Sequence, residues 1–159
     1  MRNPLALALL ACALLLSACA GGSAAIRSKK GPMPEGGDFT GVWFSPEYGE
    51  MHLHQTDDRV AGWYKKNERL GKIQGTVEGN ILRFEWEEER EMVMGKPTTT
   101  SGHGYFVYII DQEERGKAKY EVHRLEGEWG LGDDDTGGGE WTATKSRSRE
   151  PQAKPPSEA

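Results

Sequence analysis

Ile81-Leu82-Arg83-Phe84-Glu85-Trp86-Glu87 is the stretch whose reading decides the fold. Leu82, Phe84 and Trp86 alternate without a break with Arg83, Glu85 and Glu87. A strict period of two marks a strand with one face buried and one in water. Glu78-Gly79-Asn80 before it supplies a tight turn, because Gly and Asn tolerate positive φ. On the other side of that turn Lys72-Ile73-Gln74-Gly75-Thr76-Val77 alternates again, so the pair reads as a hairpin.

The same reading extends in both directions. Asp38 to Phe44 opens the series, and Glu50 to Gln55 places Met51, Leu53 and Gln55 on one face and His52 and His54 on the other. Asp57-Asp58 is a turn, Arg59 to Lys66 the next strand, and Leu70-Gly71 begins the return. Glu87 to Met94 admits two readings, one or two helical turns or a continuation of the strand before it; we take it as strand running into loop. Gly95 to Ser101 reads as loop, Gly104 to Ile110 as an apolar strand, Asp111 to Gly116 as a charged turn. Tyr120 to Trp129 and Trp141 to Lys145 complete about eight short strands.

A long antiparallel meander with one apolar face removes its edges by closing on itself. The expected fold is therefore all-β, an up-and-down barrel over residues 38–145. Its expected inward set is Trp43, Met51, Leu53, Val60, Tyr64, Ile73, Val77, Leu82, Phe84, Trp86, Phe106, Tyr108, Trp129 and Trp141. Gly62, Gly75 and Gly127 share the parity of inward neighbours, so they allow either strong coiling of the strands or a cavity.

The flanks have a different composition. Leu5 to Leu16 is an apolar run behind a short basic start, too short to span about 30 Å of hydrocarbon. A basic start, a short apolar run and small residues make a secretory signal over 1–18. Residues 19–37 are rich in Gly, Pro and small side chains and read as a tether, roughly 23 Å across as a flexible coil. The tail at 146–159 is polar and proline-rich, and no packing is expected of it. Within 38–145 thirteen basic residues face twenty-two acidic ones, a net of −9. That balance argues against nucleic acid, which needs a basic face.

Leu16-Ser17-Ala18-Cys19 resembles the lipobox of bacterial lipoproteins. The resemblance implies that Cys19 receives a diacylglycerol group, becomes the first residue after cleavage and is held in a membrane by its acyl chains, palmitate among them. Ala20 in place of Asp implies the outer membrane. Cys12 leaves with the signal, so the folded part keeps no thiol for a disulfide, a metal or a nucleophile. Gly41-Val42-Trp43 is similar to the Gly-x-Trp that opens lipocalin and avidin barrels, and Gly49-x-Met51 and Gly62-Trp63-Tyr64 resemble avidin strands. The lipocalin likeness implies a basic residue over that first Trp, with Lys145 or Arg147 in position. Ser45 stands where avidins carry an Asn toward their ligand, and the lipocalin Thr-Asp-Tyr motif is absent.

Few residues suggest chemistry. His52 and His54 share a side of one strand, but zinc needs a third ligand. Asp133-Asp134-Asp135-Thr136-Gly137 begins like a calcium loop without the distal Glu at its spacing. The run of glutamates at 85, 87, 88, 89 and 91 reads as a solvated face. No phosphate loop or nucleophile elbow is present in the sequence. The expectation is a non-enzymatic, membrane-anchored envelope module without cofactor or metal, with a structural or protein-interaction role. In that role Trp63, outward among charges, is the candidate contact for an envelope protein. The alternative is a small apolar ligand inside the barrel, against Trp43, Tyr64, Phe84, Trp86, Tyr108 and Trp129.

Overall fold

The computed structural model describes residues 29–156. The expected signal peptide, Cys19 and the part of the expected tether up to residue 28 lie outside the described residues. Eight antiparallel strands run in order: β1 (Gly41–Ser45), β2 (Gly49–Thr56), β3 (Arg59–Lys66), β4 (Arg69–Glu78), β5 (Ile81–Val93), β6 (Lys96–Arg115), β7 (Ala118–Trp129) and β8 (Gly139–Lys145). Each pairs with the next, and β8 returns to β1 to close the barrel. That seam is short, with Trp43 opposite Lys145 and Phe44 opposite Thr144.

The expected inward set packs as one core. Every member is buried in it or, for Val77 and Trp129, partly buried against it. Three groups of aromatic rings fill the barrel from floor to mouth. At the floor Tyr108 meets Phe39 at 5.3 Å and Trp43 at 5.7 Å, both edge to face. In the middle Trp141 is surrounded by Tyr64 at 4.9 Å, Phe106 at 5.3 Å and Phe84 at 5.7 Å. Nearer the mouth Trp86 stands perpendicular to Trp129 at 5.2 Å. An interior of eight strands is only just wide enough for side chains, and these rings occupy it.

The inward glycines settle between coiling and cavity in favour of coiling. A methyl group on Gly62 would meet the backbone carbonyl of His52, one on Gly75 that of Arg83, and one on Gly127 that of Tyr105. The glycines therefore let neighbouring strands approach closely; they do not hollow the interior.

The seam is braced from outside the sheet. The Lys145 ammonium lies 5.3 Å from the centre of the Trp43 ring and donates to the Asp38 carbonyl at 2.7 Å. Of the two basic residues the lipocalin likeness put forward, Lys145 holds the place. The Trp43 indole N–H donates to the Phe39 carbonyl at 2.9 Å. Burial holds the Lys145 amine below its ordinary range, against the pull of Asp38.

Two segments expected as loop and turn are strand. Thr98, Thr99 and Thr100 pair with Arg90, Glu89 and Glu88, so residues 96–101 belong to β6. β-branched threonine suits a strand. Pro97, which has no N–H to give, sits opposite Glu91 where the pairing slips before Val93. Residues 111–115 also continue β6, and the turn shrinks to Gly116-Lys117, with Gly116 at φ 66°. The β5–β6 hairpin thereby projects beyond the open end and exposes Met92, Val93 and Met94 at its tip.

Both flanks, expected only as tether and tail, bind the barrel through their described residues. Asn80 is buried in the β4–β5 turn and pins the incoming chain. Its side chain accepts from the Gly31 amide at 2.7 Å and donates to the Lys29 carbonyl at 2.8 Å; its own amide donates to the Gly31 carbonyl at 3.0 Å. After β8 the described part of the tail, to residue 156, adopts no helix or strand, yet it packs. Polar contacts hold it to the outer wall: Ser146 donates to the Val42 carbonyl, Arg147 to that of Glu121, and Arg149 forms a forked ion pair with Glu50.

We expect Gly75→Ala and Gly127→Ala each to cost about 1–3 kcal/mol, as overpacking does. Trp43→Ala should cost about 3–5 kcal/mol, as large aromatic deletions do. Urea unfolding of the three variants checks both. Unchanged or raised stability in the glycine variants would contradict close strand approach.

Candidate functional site

The six residues expected to face an internal ligand divide into two sets. Trp43, Phe84 and Tyr108 are consumed in the filled core. Tyr64, Trp86 and Trp129 lie at the open end, where with Tyr48, Trp141, Arg69, Glu88, Thr100 and Leu131 they line a pocket of about 270 Å³. That is slightly below the usual range for drug-sized ligands, roughly 300–1,000 Å³.

Local sequence places each wall. Ser45 ends β1, and its hydroxyl accepts the Tyr48 amide at 3.2 Å, turning the chain so that Tyr48 reaches over the mouth. Gly49 follows at φ 82°, a conformation that disfavours any side chain. Gly71 lies opposite Tyr64 on β4, and the Tyr64 ring occupies the space where a β-carbon would sit. Gly138 gives the Trp129 ring the same room.

The rings stand nearly square to one another. Tyr48 meets Trp129 at 6.2 Å and 86°, Trp86 meets Trp129 at 90°, and Tyr64 meets Trp141 at 81°. Tyr48 also lies 4.4 Å from Trp141, tilted by 40°. The polar groups are mostly engaged with each other. Tyr64 donates to the Glu88 carboxylate at 3.0 Å, Arg69 lies 3.8 Å from the same carboxylate, and the Trp129 N–H donates to the Tyr48 hydroxyl at 2.6 Å. Burial first, and the Glu88 charge second, push the Tyr64 phenol far above its ordinary range; burial raises Tyr48 as well. In these bonds the Tyr64 hydroxyl donates and the Tyr48 hydroxyl accepts.

One donor is left over. Four of the five tryptophans hand their indole N–H to an acceptor: Trp43 to Phe39, Trp63 to Gln152, Trp86 to His103 and Trp129 to Tyr48. The N–H of Trp141 is buried without a partner. A buried unpaired donor costs about 1–3 kcal/mol.

Outside the barrel the tail changes the reading of Trp63 and His52. Trp63 points outward as parity requires, but it is only 5 % exposed. It stacks on His52 at 4.0 Å and 11°, and its N–H donates to the Gln152 carbonyl at 2.8 Å. It is therefore not a free contact surface; the chain's own tail covers it. His52, expected on the solvent side, is buried too: its Nδ1 accepts the Gln152 amide at 2.9 Å and its Nε2 faces Glu50 at 2.7 Å. The other histidines are scattered. His103 contacts the Gly132 carbonyl, and His123 contacts the Tyr108 hydroxyl at 2.6 Å. Among the described residues no three His, Cys, Asp or Glu gather as metal ligands. Asp135 of the acidic loop pairs with Arg83 at 3.2 Å. An open groove of about 1,000 Å³ also runs over the outer wall between the tail and that loop, past His54, Lys72, Glu85 and His103.

Compared with protein-family models, curated proteins and solved structures, the chain matches none. The site must be read from its own geometry.

The tail supplies a pH prediction. The Arg149 guanidinium holds the Glu50 carboxyl below the ordinary carboxylate range. The stability this adds is complete above the unfolded glutamate value, about 4.3, and is lost as pH falls through the lower folded value. The Trp63 indole N–H resonance should therefore keep its bonded position down to about pH 4.3 and move only below it. Glu50→Gln should weaken the tail contact above that transition and remove the transition itself. A transition at clearly higher pH would place control on another group.

Proposed function

We propose that this chain is a lipid-anchored, non-enzymatic module of a bacterial envelope, its barrel a rigid body that presents its open end for binding. The observation that carries the reading is the strap at Asn80. It fixes the incoming chain at the β4–β5 turn, on the opposite end from the aromatic mouth. With Cys19 in a membrane, nine residues, 20–28, lie between the anchor and Lys29. The ten backbone steps from Cys19 to Lys29 reach at most about 35 Å. The closed end then faces the bilayer and the mouth faces away from it.

The polar groups at the mouth favour binding over catalysis. Glu88, Tyr64 and Arg69 are tied to one another, and so are Tyr48 and Trp129. Such ties fix walls and orient a ligand. The filled interior moves any small-molecule role from the barrel's depth to its mouth.

The anchor is tested by Cys19→Ser. The wild type should partition into the detergent phase and the membrane fraction, and the variant into the aqueous phase. A wild type found in the aqueous phase would end the lipoprotein reading.

A further inference from the structure

We propose that the pocket at the open end is a binding site for a small quaternary ammonium ion, a molecule of the choline type. The inference names the ligand for the open-end role proposed above; its pocket stands whether or not Cys19 is lipidated.

Three observations point to a cation. The walls are aromatic rings set nearly perpendicular to each other: Tyr48 against Trp129, Trp86 against Trp129 and Tyr64 against Trp141. Several ring faces at right angles form the arrangement in which a quaternary ammonium is attracted by π-electron density. Glu88, whose side chain is 16 % exposed, lines the same pocket and supplies a counter-charge. The loops that ring the mouth add Glu47, Glu68, Asp133 and Asp134 to a domain of net charge −9. Such a field raises the local concentration of cations.

Size limits the rest of the ligand. The volume of about 270 Å³ suits a molecule of this size and excludes a long acyl chain. Arg69 is the competing cation. It sits 3.8 Å from the Glu88 carboxylate, and an ammonium ligand takes over part of that pairing.

The test is calorimetric titration of the purified full chain with choline chloride, with tetramethylammonium chloride, and with the uncharged choline isostere in which carbon replaces nitrogen. Choline should bind saturably at one site, and the uncharged isostere about tenfold more weakly or not at all. Tetramethylammonium, which carries the same charge on the same head, should bind at the same site. Glu88→Gln keeps an acceptor for Tyr64 and should weaken choline by about tenfold, with an unchanged melting temperature. Arg69→Gln should tighten it. Equal binding of choline and its isostere would leave the mouth a ligand site but overturn the cation assignment. No saturable heat from any of the three would overturn the site itself. Neither result bears on the anchor, which the Cys19→Ser fractionation decides.

Discussion

The interior volume of an eight-stranded barrel is the constraint on which this structure depends. Such a barrel encloses little more than its own side chains. Here the inward positions carry Trp43, Tyr64, Phe84, Trp86, Phe106, Tyr108 and Trp141, all buried. Rings of that size fit only because Gly62, Gly75 and Gly127 let the strands coil against one another's backbone. The same limit displaces function. With the floor and middle filled, the space left for a small ligand is at the mouth, where Tyr48 and Trp129 lean in from loop and strand end.

The outer wall follows a second logic. A closed barrel has no edge to protect, yet the described residues of both flanks lie against this one. The incoming strap is bonded to Asn80 and to Glu126 through Lys29. The outgoing tail is bonded to Glu50, His52 and Trp63. Both are polar attachments, and their reach is long in sequence. They bury Trp63 and His52, which a single β-strand would expose. The seam gains as well: it is only two residue pairs long, and Lys145, Asp38 and Ser146 brace it from either side.

The fold was legible because alternation is a local signal. Leu82-Phe84-Trp86 announces its own buried face, and every residue assigned inward by parity packs into the core or against it. Parity also placed Trp63 outward, correctly, but parity says nothing of what lies above an outer face. Half of the candidate site was legible for the same reason: Tyr64, Trp86 and Trp129 are strand positions. Tyr48, Arg69 and Glu88 were not singled out. Tyr48 sits in a turn, oriented by the Ser45 hydroxyl and by Trp129, eighty-one positions away. Glu88 belongs to an acidic run that reads as solvated surface; its inward turn appears only where β5 outlasts the barrel wall. Thr98 to Thr100 escaped notice because Pro97 precedes them, and a proline is harmless beside a slip in pairing.

The claim that the barrel is filled and works from its mouth meets its most direct test in one titration. A long-chain fluorescent fatty acid is added to the Cys19→Ser protein, which needs no detergent, and energy transfer from tryptophan is followed. A filled interior predicts no saturable uptake, because the rings around Trp141 leave no channel for the chain. Saturable uptake at one molecule per barrel would contradict the account and return the ligand to the interior.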